Sequence, residues 1–154
     1  MLRNLLKLKL HKKPELQEIE VNISYKEMSP RLSKMIKYIQ QYEYVIEALS
    51  KEKILYIPLD QILYFDTVDR KTFLYTSNQV YMCKKTLVAL ENDLSDTTVV
   101  RINKGTLLNI TSLMSVKPYP NHRLLAELSN GEHLIISRKY IPILQNILRR
   151  GYYV

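Results

Sequence analysis

A nucleophile, a general base or a metal centre in this chain has to be drawn from Cys83, three histidines and fifteen acidic residues. His11 lies in a basic run, and His122 and His133 fall in turns or at strand edges. None of the three has zinc-ligand spacing with Cys83 or with another histidine. Cys83 closes the apolar run VYMC of a predicted strand, where a thiol is a small buried hydrophobe rather than a nucleophile. Asp66 and Asp69 share the stretch DTVDRK, and acids in turns bond to the nearby backbone. The expectation is therefore a protein with no catalytic residue, no metal site and no cofactor.

The cations are more informative, because they come in groups at breaks in the apolar pattern. Arg70 and Lys71 sit between two predicted strands, and Lys84 and Lys85 precede a short helical pattern. Arg101, Asn103, Lys104 and Gly105 interrupt the apolar stretch VVRINKGTLLNITSL. Arg138 and Lys139 follow Ser137 at the start of a last helical pattern, where free amides and the helix dipole favour an anion. Cations placed on turns and helix starts suit phosphate contacts, and an arginine can hold a guanine edge through two hydrogen bonds. A solvated surface charge is the simpler reading of any one pair; the combination points to a polyanion.

Charge is unevenly spread within the net +8. Residues 1–13 carry five cations and no acid, residues 14–53 six cations against seven acids, and residues 54–154 twelve against eight. An excess of this kind raises the prior for nucleic acid or an anionic surface. One cysteine allows no intrachain disulfide, which suits a reducing compartment. No apolar run reaches the roughly 18 residues of a membrane span. The chain reads as soluble and cytoplasmic.

These cations need elements to hold them. IEVNIS, residues 19–24, alternates as a half-buried strand. SPRLSKMIKYIQQYEYVIEAL opens with Ser29 as cap and Pro30 at the first helical position, and its apolar spacing predicts one helix over residues 30–49. Its tyrosines Tyr38, Tyr42 and Tyr44 make it one candidate dimer surface, although packing within the chain is the simpler use of its stripe. From residue 54 about eight short strands and two short helices follow, with turn signals every 8 to 12 residues. They include a hairpin at SNQ, a helix bearing Leu87, Leu90 and Leu94, a hairpin at Asn130-Gly131, and a last helix with Ser137 as cap and Pro142 in its first turn. The expected division is a basic arm with a strand-plus-helix extension at 1–53 (dimerisation or regulatory), a mainly β domain at 54–149, and a tail at 150–154.

Four stretches in this order, QILYFDTVDRKTFLYT, KKTLVALENDL, VVRINKGTLLNITSL and GEHLIISRKYIPIL, resemble the LytTR-type DNA-binding domain of bacterial transcription regulators. The third matches in Arg101, Lys104, the pair Leu107-Leu108 and Asn109; the fourth matches in Ser137-Arg138 and Tyr140. The resemblance implies a mainly β fold of small packed antiparallel sheets with short helices, α+β overall, that reads double-stranded DNA with loops. Carried over by position, it implies base contacts from Lys71 or Thr72, from Lys104 and from Arg138. It implies phosphate contacts from Arg70, Lys84, Lys85, Arg101, Asn103 and Lys139. Arg101 has a competing role in supporting the loop backbone, and Asn109 is expected to bond a turn backbone. Gly105 stands where many relatives have serine. No receiver domain fits into residues 1–53, so the chain resembles stand-alone regulators of this type. That implies a homodimer on repeated half-sites, and a small membrane protein that restrains it. The alternative is an adaptor that turns its basic face to an acidic protein or an anionic membrane surface.

Overall fold

The computed structural model describes residues 6–152. One helix, α1 (Pro30–Gln40), precedes the β-rich part, and a 3-10 turn at Gln41–Glu43 ends it. The strands are β1 (Val45–Ser50), β2 (Lys53–Pro58), β3 (Tyr64–Val68), β4 (Lys71–Tyr75) and β5 (Val80–Cys83), then a short helix α2 (Leu87–Asp93). After it come β6 (Val99–Asn103), β7 (Thr106–Asn109), β8 (Leu113–Tyr119), β9 (Arg123–Leu128), β10 (His133–Ile136) and the last helix α3 (Ile141–Tyr152). A seven-stranded sheet has the order β2-β1-β5-β4-β3-β7-β6, and a three-stranded sheet has the order β10-β9-β8. Every pairing is antiparallel.

The two faces of the large sheet bury different cores. Phe65, Leu74, Cys83, Ala48 and Leu107 face Leu87, Leu90 and Leu94 around α2. Tyr64, Ile102 and Leu108 face the small sheet through Ala126, Leu128 and Ile136, with Leu144 of α3. Each large apolar side chain so buried contributes about 1.5–3 kcal/mol. Polar bonds join the layers as well. Tyr64 and Tyr75 stack with centroids 4.1 Å apart. The Tyr64 hydroxyl donates to Glu132 at 2.6 Å across the sheets, and that of Tyr75 donates to Asp66 at 2.8 Å.

Asn109 is the polar centre of this packing and is fully buried. Its amide nitrogen donates to Gln41 Oε1 and to the carbonyls of Leu59 and Ile62. Its amide oxygen accepts from Thr98 Oγ1, Thr111 Oγ1 and the Thr111 backbone. The expected turn bond is there, together with a tie to the segment that follows α1.

Three sequence expectations need correction. Residues 19–24 form no strand: the alternation is present, but no strand lies beside them to complete a ladder, and Ile19 is 93% exposed. The helix expected over 30–49 ends at Gln40, and Val45–Ser50 is strand β1, paired along its whole length with β2. There Ile46 and Ala48 alternate inward, a period of two that the helical reading of Ile46 and Leu49 had absorbed. The basic interruption is a tight hairpin turn: Arg101 and Asn103 lie within β6, β7 follows at once, and only Lys104 and Gly105 form the turn. At the C-terminal end, the Ser137 side chain makes no capping bond. Arg138–Tyr140 is a 3-10 turn that leads into α3, with Pro142 second in the helix. The helix backbone continues through Tyr152; residues 1–5 of the expected basic arm and 153–154 of the expected tail lie outside the described residues.

Candidate nucleic-acid interface

Strand register gathers the cationic segments at one end of the large sheet. Val68 pairs with Lys71, so the β3–β4 connection is the two-residue turn Asp69-Arg70. Thr72 pairs with Cys83, so Lys84 and Lys85 leave β5 at that same end. Asp66 pairs with Thr106, which sets the Lys104-Gly105 turn beside the β3–β4 turn, and Thr67 N–H donates to the Gly105 carbonyl at 3.0 Å. The start of the last helical region is held there too. Ser137 N–H donates to the Ile102 carbonyl at 2.9 Å, and the Asn103 amide donates to the Ile135 carbonyl at 2.9 Å. Four segments distant in sequence are thus bonded into one rim. A groove of about 550 Å³ runs along it, lined by Thr67, Arg70, Thr72, Val88, Lys104 and Gly105 among others.

The expected contact residues divide by what else they touch. Arg70, Lys71, Lys84, Lys104, Arg138 and Lys139 are exposed. Among the described ion pairs none involves these six side chains. Lys139 lies 5.6 Å from the ring centre of Tyr140. Four others are engaged inside the chain. Thr72 is buried at the floor of the groove, on the opposite face of β4 from Lys71. Arg101 is only 13% exposed at its side chain; its Nε donates to Glu91 of α2 at 3.2 Å and its Nη1 to the Lys104 carbonyl at 2.6 Å. Asn103 accepts from Gly105 N–H while it donates to Ile135. Lys85 pairs with Asp93 at 2.5 Å, which raises its pKa above the usual lysine value, chiefly through that hydrogen bond.

Arg101 and Asn103 thereby fix the turn from both sides and present Lys104 outward. Gly105 needs no special backbone conformation, because its φ is not positive and a Cβ there would meet only Asn103 Oδ1 at 3.9 Å. A serine side chain would fit there. Sequence reasoning did not find the Glu91 carboxylate and the Ile135 carbonyl as supports of this turn; nothing in a linear pattern signals a hydrogen-bond acceptor ten or thirty residues away.

Burial pushes the Cys83 thiol up to about 11, and its sulfur donates to the Glu47 carbonyl at 3.5 Å. Among the described residues no three His, Cys, Asp or Glu side chains are grouped to hold a metal ion. No described helix is long and apolar enough to cross a membrane.

Comparison with known proteins agrees with this geometry. The family model for the LytTr DNA-binding domain matches residues 52–149. The sensory transduction protein LytT of Bacillus cereus is 27% identical over 99 residues, which are 64% of this chain and 40% of that protein. LytT of Bacillus subtilis is 25% identical over 97 residues, and LytR of Streptococcus mutans 24% over 90. The match thus spans about two-fifths of the length of these relatives. The solved LytTr DNA-binding domain of a methyl-accepting/DNA response regulator from Bacillus cereus superposes with a TM-score of 0.64 at 19% identity, and covers 68% of this chain and 96% of that one. With its two packed antiparallel sheets and its rim of bonded turns, this chain belongs to the LytTr DNA-binding domain family.

Proposed function

We propose that this protein is a sequence-specific DNA-binding transcription regulator that reads DNA with turns rather than with a recognition helix. One observation supports the reading: hydrogen bonds join the turns at Arg70, Lys104 and Arg138 into one rim, and those three cations are exposed and take part in none of the described ion pairs. Lys71, Lys104 and Arg138 are assigned to base edges, and Arg70, Lys84 and Lys139 to phosphates. Arg101, Asn103 and Lys85 have partners within the chain, so their part is to hold the turns in place. A rim of several separate cations suits recognition along one face of a duplex, in pairs of copies on repeated half-sites.

The test is fluorescence anisotropy on the chain's own upstream region and on a shuffled duplex, at several salt concentrations, with Arg138→Ala beside the wild type. The expected result is a preference for the native duplex that the variant loses by about 1–3 kcal/mol, the worth of one bidentate base contact. A weaker, salt-sensitive affinity common to both duplexes persists. Equal binding of both duplexes by wild type and variant would favour an adaptor that uses total charge against another anion.

A further inference from the structure

Residues 6–22 are exposed, Ile23 is half-buried, and the segment joins neither sheet. They form no helix or strand, and Leu8, Leu10 and Ile19 are 76%, 86% and 93% exposed. Yet their pattern is regular and of two complementary kinds. Leu6-Lys7-Leu8-Lys9-Leu10-His11 alternates apolar with basic residues; Glu18-Ile19-Glu20-Val21-Asn22-Ile23 alternates acidic or polar with apolar ones. Laid antiparallel, the two halves place Leu6, Leu8 and Leu10 opposite Ile23, Val21 and Ile19. Lys9 then faces Glu20 and His11 faces Glu18 on the other side. A slip by two residues instead opposes Lys7 to Glu20 and Lys9 to Glu18, so the charges agree in either register.

A hairpin within one chain does not make use of this match. The chain turns at Lys13–Leu16, where Leu16 N–H donates to the Lys13 carbonyl at 3.1 Å, but no ladder continues from it. Neither Pro14 nor Glu15 has the positive φ of the favoured mirror-image two-residue hairpin turns. A lone two-stranded ribbon would also leave its apolar face in water, which is at best marginally stable. Two copies remove both difficulties. The basic half of each can pair with the acidic half of the other, and the two ribbons can stack apolar face on apolar face.

We propose that residues 6–23 are a dimerisation arm exchanged between two copies, joined by pairing of 6–11 with 18–23 of the second copy. The inference rests on the reading that the regulator works in pairs, and it names the surface that makes the pair. It is tested on the full chain by sedimentation velocity, with K7E/K9E, E18K/E20K and an equimolar mixture of the two. These side chains are exposed, so the variants keep the wild-type near-ultraviolet circular dichroism. Like charges directly opposite in a ladder are repulsive, and each would occur twice in a dimer. Each variant alone is expected to dimerise at least about tenfold more weakly than wild type, a tenfold change being about 1.4 kcal/mol. The mixture is expected to recover as a heterodimer, because exchange again sets acid against base in both ribbons.

A wild type that stays monomeric, or either variant dimerising as well as wild type, would overturn the proposal. So would a mixture that fails to recover, since an intrachain hairpin is broken separately in each variant. Anisotropy on operator DNA with the same samples separates this result from the DNA reading. Variants that still prefer the native duplex leave that reading standing, whatever becomes of the arm.

Discussion

Asp69 and Arg70 show how a single residue can be retained against the interest of the fold. Both central residues of the β3–β4 turn have positive φ, 50° and 65°, as a mirror-image two-residue hairpin turn demands. Asparagine, aspartate or glycine are the usual occupants; arginine has a Cβ that crowds the following carbonyl in this region. Its long cation nevertheless stands on the rim beside the Lys104 turn. Arg70→Gly is therefore expected to raise stability by about 0.5–1 kcal/mol, read as a higher urea midpoint at unchanged slope. The same variant should bind DNA more weakly, with a shallower salt dependence. If it lost stability, the strain argument would fail; if it bound as wild type, Arg70 would not touch phosphate. Lys71, one residue on, is free of this conflict because it is already in the extended conformation of β4.

At the scale of elements, the docking of the two sheets includes charged groups at a cost that pH can reveal. The Asp66 carboxyl lies partly buried beside the stacked tyrosines, and its pKa is raised above the ordinary 3.8, first by desolvation and further by Glu132. The Tyr75 hydrogen bond acts in the opposite direction without cancelling the rise. The native state thus holds this proton to higher pH than the unfolded state does. Stability attributable to Asp66 falls as pH rises from the ordinary value through the raised native one, and the full cost is present above it. Asp66→Asn keeps an acceptor for Tyr75 and removes the charge, so chemical denaturation should show a higher midpoint at neutrality and a flatter profile above about pH 4. An unchanged profile would mean that Asp66 is solvated after all. The elements themselves were unevenly legible. Turn chemistry at Asn130-Gly131 and the apolar spacing of Leu87, Leu90 and Leu94 gave the β9–β10 hairpin and α2 directly. β1 was lost because Ile46 and Leu49 also fit a helix, and only pairing with β2 and β5 decides between the two periods. The cationic positions were legible as a set. Which of them are already engaged within the chain was not, because that depends on Glu91 and Asp93.

For the whole molecule, net charge is a poor guide to binding and placement is a better one. The +8 includes the five cations of residues 1–13, a stretch that contributes no residue to the rim segments named above. It also includes Lys85 and Arg101, whose charges are already met by Asp93 and Glu91. On the proposed reading, Arg70, Lys84 and Lys139 remain on the rim for phosphate, and Lys71, Lys104 and Arg138 are the ones assigned to bases. Each phosphate neutralised releases counterions and adds about −0.9 to the slope of log K against log salt. Lys84→Ala should therefore reduce the slope by about one unit and weaken native and shuffled duplexes alike. Lys85→Ala, adjacent in sequence and equal in charge, should leave the slope nearly unchanged, because removing a cation already paired to Asp93 releases few counterions. The two variants lower net charge identically, so a mechanism based on total charge predicts equal effects. Titrations of both from about 50 to 200 mM salt decide the matter: a difference in slope assigns the binding to the rim, and equal slopes assign it to the overall field of the protein.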